Sequence, residues 1–210
     1  MPKKRPTEDD FLAEDILGEG QDPLESEAMP AARAHRISPR RRYERIQQRE
    51  ALEDVLAGPP EPGESVHILS RAQFDFWTWV PAMLDWIGHS PDLYCSTWTA
   101  SRANVVELLE LWDAGRIGRA HFLTGLYFKR RETAVYARLL EGLRTRGGRY
   151  CSSRNHAKVL LLANAARKAW LTIEGSANLT SNPRTENYII TNDRGLWEFH
   201  RGWMEELFTA

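Results

Sequence analysis

Four polar residues in the last quarter of the chain have types and spacing suited to chemistry at phosphorus. His156 and Lys158 stand two apart at the head of the apolar run AKVLLLA, and Ser176 and Asn178 repeat that spacing after the apolar run AWLTIE. Side chains two apart on a strand share one face and lie about 7 Å from each other. An imidazole and an ammonium at one strand end, with a hydroxyl and a carboxamide at the next, would close around a single phosphoryl group. Gly175 precedes the second pair and allows close backbone approach.

A phosphodiester carries one negative charge and gains more on its phosphoryl oxygens in the transition state. Lys158, Ser176 and Asn178 would bind the phosphate and stabilise that charge. The His156 imidazole can attack phosphorus and form a covalent phospho-enzyme, and a second imidazole can protonate the leaving oxygen and then activate water. A nucleophilic histidine needs its other ring nitrogen held by an acceptor; Glu186, just before the apolar strand NYIIT, is the candidate. These steps need no metal and no cofactor, and no carboxylate cluster suggests a metal site. Taken singly, each residue has a plainer role as a satisfied histidine, a snorkelling lysine or a turn former. Their order, their strand contexts and the trailing glutamate favour the joint reading.

Those strand ends must be held together by a sheet, and residues 64–210 alternate strand and helix patterns. Strands are expected at SVHILS (65–70), DLYCSTW (92–98) and RAHFLTG (119–125), then at RYCSS, AKVLLLA, AWLTIE and NYIIT. Helices are expected over 73–87, over 102–113 with Gly115 as cap, and over 129–146 with Val135, Leu139 and Leu143 on one face. The last, about 195–208, carries Leu196, Phe199, Trp203 and Leu207 at helical spacing. The pattern predicts an α/β fold, a mixed, mostly parallel sheet with helices on both faces. The later strands are close enough in sequence to pair antiparallel. No internal repeat is present, and the first half holds no second copy of the motif. The tryptophans fall mostly at positions that read as core, which favours packing over base stacking.

Upstream the organisation changes. Residues 1–40 are acidic, rich in proline and small residues, and without hydrophobic periodicity; they predict a disordered tail running into a basic stretch, RAHRISPRRRYER. Residues 41–63 read as a helix, with Ile46, Leu52 and Leu56 apolar, and a Pro/Gly linker from Gly58 to Gly63. The arginine run is either a solvated lead into that helix or an arm that contacts a polyanion. Lys129, Arg130 and Arg131, with Arg144, Arg146 and Arg149, likewise read as helix ends facing water or as a basic rim. A composition of 42% hydrophobic and 27% charged residues with net charge -1 is that of an ordinary globular protein, so attraction to nucleic acid must be local. The longest apolar run is interrupted by Asp75, Pro81 and Asp85, and the N-terminus lacks the apolar stretch of a signal peptide. An intracellular, cytoplasmic chain without a membrane partner is expected. Cys95 and Cys151 read as free thiols. Glu174 reads as a second carboxylate near the site or, in preference, as a strand-end charge facing solvent, and His67, His89, His121 and His200 as structural or exposed.

The succession HAK, GSANLT and TEN before an apolar strand resembles the HKD motif of the phospholipase D superfamily, above all its small single-motif nuclease members. The resemblance implies a phospholipase D-like domain over 64–210 and an active site shared between two copies of the chain. His156 of one copy would be the nucleophile and the same residue of the other the general acid and base. Lys158, Ser176 and Asn178 would bind phosphate, and Glu186 would support the histidine. The expected function is that of a metal-independent phosphodiesterase, a nuclease acting as a homodimer on nucleic acid. One departure stands out: the family pattern HxKxxxxD expects aspartate at 163, where this chain has Ala163. It opens a second reading, in which a catalytically weak or inactive version of the fold serves as a nucleic-acid-binding or assembly module.

Overall fold

A computed structural model of the chain describes residues 39–180 and 183–209. The expected tail lies outside the described residues except for its last two positions, which open helix α1 (Pro39–Val55). The described residues form seven strands: β1 (Ser65–Arg71), β2 (Ser90–Thr97), β3 (Ile117–Gly125), β4 (Arg149–Ser153), β5 (Val159–Asn164), β6 (Ala169–Gly175) and β7 (Thr185–Asn192). Between them lie α2 (Trp79–Ile87), α3 (Arg102–Asp113), the single turn α4 (Phe128–Arg131) and α5 (Thr133–Thr145), and α6 (Arg194–Thr209) closes the chain.

The sheet order is β1-β7-β6-β5-β2-β3-β4. It is mixed, as expected, but mostly antiparallel rather than mostly parallel. Only β2 with β3 and β3 with β4 run parallel; β1 with β7, β7 with β6, β6 with β5 and β5 with β2 are antiparallel. The cause is connection length. A parallel return needs a crossover of a dozen or more residues, which α3 and the α4–α5 segment supply. The turn Ala165–Lys168, with Lys168 left-handed at φ 53°, can only reverse the chain into a hairpin.

Helices cover both faces. One core gathers α2, α3, α5, Leu93, Cys95, Leu160 and Leu162; a smaller one places Tyr94, Val159 and Leu161 under Trp197 and Met204 of α6. Covered on both sides, β5 needs apolar residues at every position, and its run VLLL follows from that. The helix expected over 129–146 is broken at Glu132, where the backbone leaves helical geometry. On α6 the buried stripe is Trp197, His200 and Met204, and Phe199 is 66% exposed. Both stripes have helical spacing, and the sheet chemistry selects between them. Tyr94 Oη donates to Glu205 at 2.5 Å, and Arg149 grips both Glu205 oxygens at 2.6 and 2.5 Å. The Arg149 hydrogen bond holds the Glu205 carboxyl down at about 2. Arg149 Nε donates to His121 Nδ1 at 2.9 Å, which leaves the proton of a neutral ring on Nε2, 3.1 Å from Asp92.

Of the arginine-rich arm, Arg45 is described, and it is an internal anchor. Its guanidinium lies 3.2 Å from the buried Asp75 and 3.4 Å from Glu107, and it also bonds Asn104. Asp75 caps the 3-10 turn Phe76–Thr78 by accepting from the Thr78 N–H and hydroxyl, and Glu107 accepts from Trp77 Nε1 at 2.9 Å. Burial pushes the Glu107 carboxyl up, and Arg45 pulls against it. Removing the cation would strand two carboxylates beside fully buried Trp77. Arg45→Ala is therefore expected to cost about 2–3 kcal/mol in chemical denaturation, less than a fully buried pair because the arginine is partly exposed. A loss within about 0.5 kcal/mol, the usual range for a surface change, would show that the cluster does not hold α1 to the sheet.

Candidate active site

The chain leaves β4 at one edge of the sheet and enters β5 three strand positions away, across β3 and β2. That is about 14 Å at the usual strand spacing, and residues 154–158 must span it. Six steps at full extension reach about 20 Å, so the segment crosses the ends of β3 and β2 without room for a long excursion. Contacts mark its path: Ser96 Oγ donates to the Ala157 carbonyl at 2.9 Å, and Asn155 Nδ2 donates to Ser96 Oγ at 2.8 Å. Gly125 is required beneath it, because a Cβ there would lie 3.2 Å from the Asn155 carbonyl and 2.4 Å from the Trp98 ring.

A second segment comes over from β6. Gly175 can press against β7 because it lacks a Cβ, which would sit 2.7 Å from the Asn187 carbonyl. Ser176 then pairs with β7 through its N–H to the Asn187 carbonyl at 3.1 Å. Farther on, the Leu179 carbonyl accepts from Ser101 N–H at 2.7 Å and Asn104 Nδ2 at 2.9 Å. The two crossing segments meet above the start of β5, at the edge where the parallel strands β2 and β3 end. In open α/β sheets that edge is where ligands bind.

There an open cleft of about 520 Å3 is lined by His156, Lys158, Ser176, Glu174, His200 and Trp203, among others. His156 and Ser176 are exposed and Lys158 is buried. The pair does not share a strand face 7 Å apart, since β5 begins only at Val159. Lys158 Nζ instead folds back over the ring, 2.9 Å from His156 Nδ1 and 3.1 Å from Nε2, and donates to the His156 carbonyl at 2.7 Å. A crossing segment has no ladder partner for that carbonyl, and the ammonium supplies one. Burial, offset in part by the Glu186 charge, lowers the Lys158 pKa to about 8. Burial, and next the Lys158 charge, lower that of His156.

Glu186 accepts a short hydrogen bond from Ser176 Oγ, which in turn accepts from Asn187 N–H at 3.1 Å. The hydrogen bond expected between Glu186 and the His156 ring is not made; the ring nitrogens face the ammonium. Asn178 lies outside the cleft lining, its Oδ1 accepting from Trp98 N–H at 3.2 Å and facing Thr97 Oγ1 at 3.5 Å. It ties the Ser176 segment to the end of β2. Ala163 sits at the other end of β5, about 17 Å along the strand from Lys158, its N–H donating to Ser90 Oγ at 3.0 Å. A carboxylate at 163 would not reach the cleft.

From sequence, Glu174 falls at the cleft only as the lesser of two readings, His200 reads as structural or exposed and Trp203 as a residue of the helix stripe; all three line the cleft. His200 is nearly buried, accepts from Trp203 Nε1 at 3.0 Å on Nδ1, and holds Nε2 3.4 Å from Glu174. Burial lowers its pKa and Glu174 opposes the shift. The three-residue spacing of His200 and Trp203 was a usable signal, but only once the face of α6 was known.

No protein-family model matches the sequence, and no curated protein matches it. Solved structures do resemble it. NucT from Helicobacter pylori aligns over 70% of this chain and 98% of its own at 11% identity and TM-score 0.50. The polyphosphate kinase of Porphyromonas gingivalis aligns over 69% of this chain at 14% identity and TM-score 0.52, and this chain spans only 26% of it. Nuc, a phospholipase D family member from Salmonella typhimurium, aligns over 70% of this chain and 95% of its own at 14% identity and TM-score 0.49. At such identities the likeness is one of fold.

The Lys158 shift has two consequences. A folded-state value below the unfolded one means that the charged ammonium costs stability below about pH 8, a cost relieved as the pH rises from there toward the ordinary lysine value. Anion binding should run the other way. A phosphonate monoester, singly charged throughout, is expected to lose about tenfold in affinity per pH unit above 8. Calorimetric titration from pH 6 to 10 measures this, and a midpoint near that of free lysine would show that Lys158 is not the anion ligand.

Proposed function

We propose that this chain is a metal-independent phosphodiesterase acting on nucleic acid through a phosphohistidine on His156, with the active site completed by a second copy of the chain. The observation that carries this reading is that His156, Lys158 and Ser176 line one cleft at the strand-end rim. A phosphodiester entering there would draw the Lys158 ammonium from the imidazole onto a phosphoryl oxygen, freeing the ring nitrogen to attack. The lowered His156 pKa keeps that ring neutral, and so nucleophilic, at neutral pH. Attack forms the N–P bond and breaks the P–O bond to the leaving group. The His156 of the second copy, whose ring would face the bound phosphodiester anion and hold a proton against that charge, gives its proton to the leaving oxygen. The same imidazole then takes a proton from water, whose oxygen attacks phosphorus and releases the phosphomonoester with His156 restored. Lys158 and the Ser176 hydroxyl stabilise charge on the phosphoryl oxygens, and Glu186 fixes the Ser176 rotamer.

His200, a second imidazole on the same cleft, favours an alternative in which acid–base chemistry occurs within one chain. Molecular mass separates the two. An active dimer that is insensitive to His200→Gln supports the shared site; an active monomer abolished by that substitution supports the single-chain route. Placing residue 163 at the far end of β5 weakens the case for an inactive module, because the departure there removes no group from the cleft.

Hydrolysis of a chromogenic diester and of DNA in EDTA is expected to fall by about a thousandfold or more in His156→Ala. Acid-labile phosphate should be trapped on His156 of the parent chain by rapid quench. Equal residual rates in parent and variant would refute the phosphodiesterase reading.

A further inference from the structure

Next to His156 the rim carries aromatic rings in place of the apolar seal found elsewhere. Trp98 follows β2, and its ring centroid lies 6.1 Å from that of His156 and 6.3 Å from that of Tyr127. Trp98 is held there by design of the backbone: the ring occupies the space a Cβ at Gly125 would fill, 2.4 Å from the nearest ring atom. Tyr127 is 58% exposed and Leu126 beside it 47%. Most of the chain's other large aromatics are packed away, Trp77, Trp79, Phe76 and Phe128 almost completely. Beside His156 the half-buried Trp98 ring is thus continued outward by the exposed Tyr127 ring.

Cations lie near these residues along the chain. Lys129, Arg130 and Arg131 follow Tyr127 after Phe128, with Lys129 Nζ 5.7 Å from the Tyr136 ring, and Arg154 opens the segment that carries His156; all four are exposed. None of the four has a carboxylate partner among the described residues, whereas Arg116, Arg119, Arg146, Arg149 and Arg194 are each paired with one. Aromatic faces beside unpaired cations fit a ligand made of flat rings strung on phosphates. The Trp98 and Tyr127 rings meet at 60°, so they offer two separate faces and not one continuous stack. Bases in a duplex are stacked on each other and paired, and cannot reach such faces without leaving the helix.

We propose that Trp98 and Tyr127 are a stacking platform for unpaired bases beside the phosphate at His156, with Lys129, Arg130, Arg131 and Arg154 neutralising the flanking phosphates, so that the chain takes single-stranded nucleic acid in preference to duplex. This rests on the phosphodiesterase reading only for the position of the reacting phosphate. Base stacking on a protein ring tolerates any sequence, so the platform selects for strandedness and not for base identity.

The test is fluorescence anisotropy with a labelled oligothymidylate and a duplex of equal length, in the His156→Ala chain, where turnover does not interfere. Trp98→Ala/Tyr127→Ala is expected to weaken single-strand binding roughly tenfold or more and to leave the weaker duplex binding within about twofold. Lys129→Gln/Arg130→Gln/Arg131→Gln should weaken both and reduce the salt slope for the single strand by about 2. Matching thermal melts show that the variants fold. Unchanged oligothymidylate affinity in both variants overturns the proposal, as does a loss of anionic-vesicle binding or of self-association in place of oligonucleotide binding. If the oligonucleotide results hold while no diester is cleaved, the platform stands and the phosphodiesterase reading falls; the reverse pattern removes the platform alone.

Discussion

The geometry at the candidate site depends on one short crossing stretch of chain. Residues 154–158 must carry the polypeptide from an edge strand to the middle of the sheet, over the ends of β3 and β2. Pinned by the Ser96 and Asn155 hydrogen bonds and bedded on Gly125, the stretch holds His156 above the strand ends. Lying outside the ladders, it leaves the His156 carbonyl without a strand partner, and Lys158 turns back to satisfy it. The closeness of imidazole and ammonium is thus a product of backbone accounting before it is a product of catalysis.

That closeness sets the electrostatics. Burial lowers the proton affinity of both groups, and the ammonium beside it lowers that of the imidazole further. Glu186 tempers the lysine across the site and holds Ser176 by hydrogen bond, so one carboxylate supports two groups of the cleft without touching the histidine. The Lys158 ammonium is thus partly spent on the ring, and a phosphate anion would be the stronger claimant for it. The opposite wall belongs to α6, which carries His200 and Trp203 and is fastened to the sheet by Glu205, gripped by Arg149 and Tyr94.

Much of this was legible in the sequence. The strands at SVHILS, RAHFLTG and AWLTIE, the helix over 102–113 and the two-residue spacings at His156 and Ser176 follow from local pattern, because alternation and helical periodicity are written in neighbouring residues. The α/β class follows from their succession. The direction of the later strands was half legible: short links imply hairpins, yet the repeated strand–helix pattern upstream suggested a mostly parallel sheet. On α6 two stripes of equal spacing competed, and periodicity cannot choose between equals.

The sequence by itself determined the α/β class, most of the strands and helices, and the order in which His156, Lys158 and Ser176 fall along the chain. Tertiary structure alone decided that Lys158 leans on His156, that Glu186 serves Ser176, that Asn178 fastens a loop, and that residue 163 is remote from the cleft. It also brought in His200 and Trp203 from a helix that follows β7. The physical reason is range. Spacing along a strand or helix fixes neighbours within a few residues. Contacts between segments tens of residues apart depend on how the strands are ordered, and that order is settled by the packing of the whole sheet.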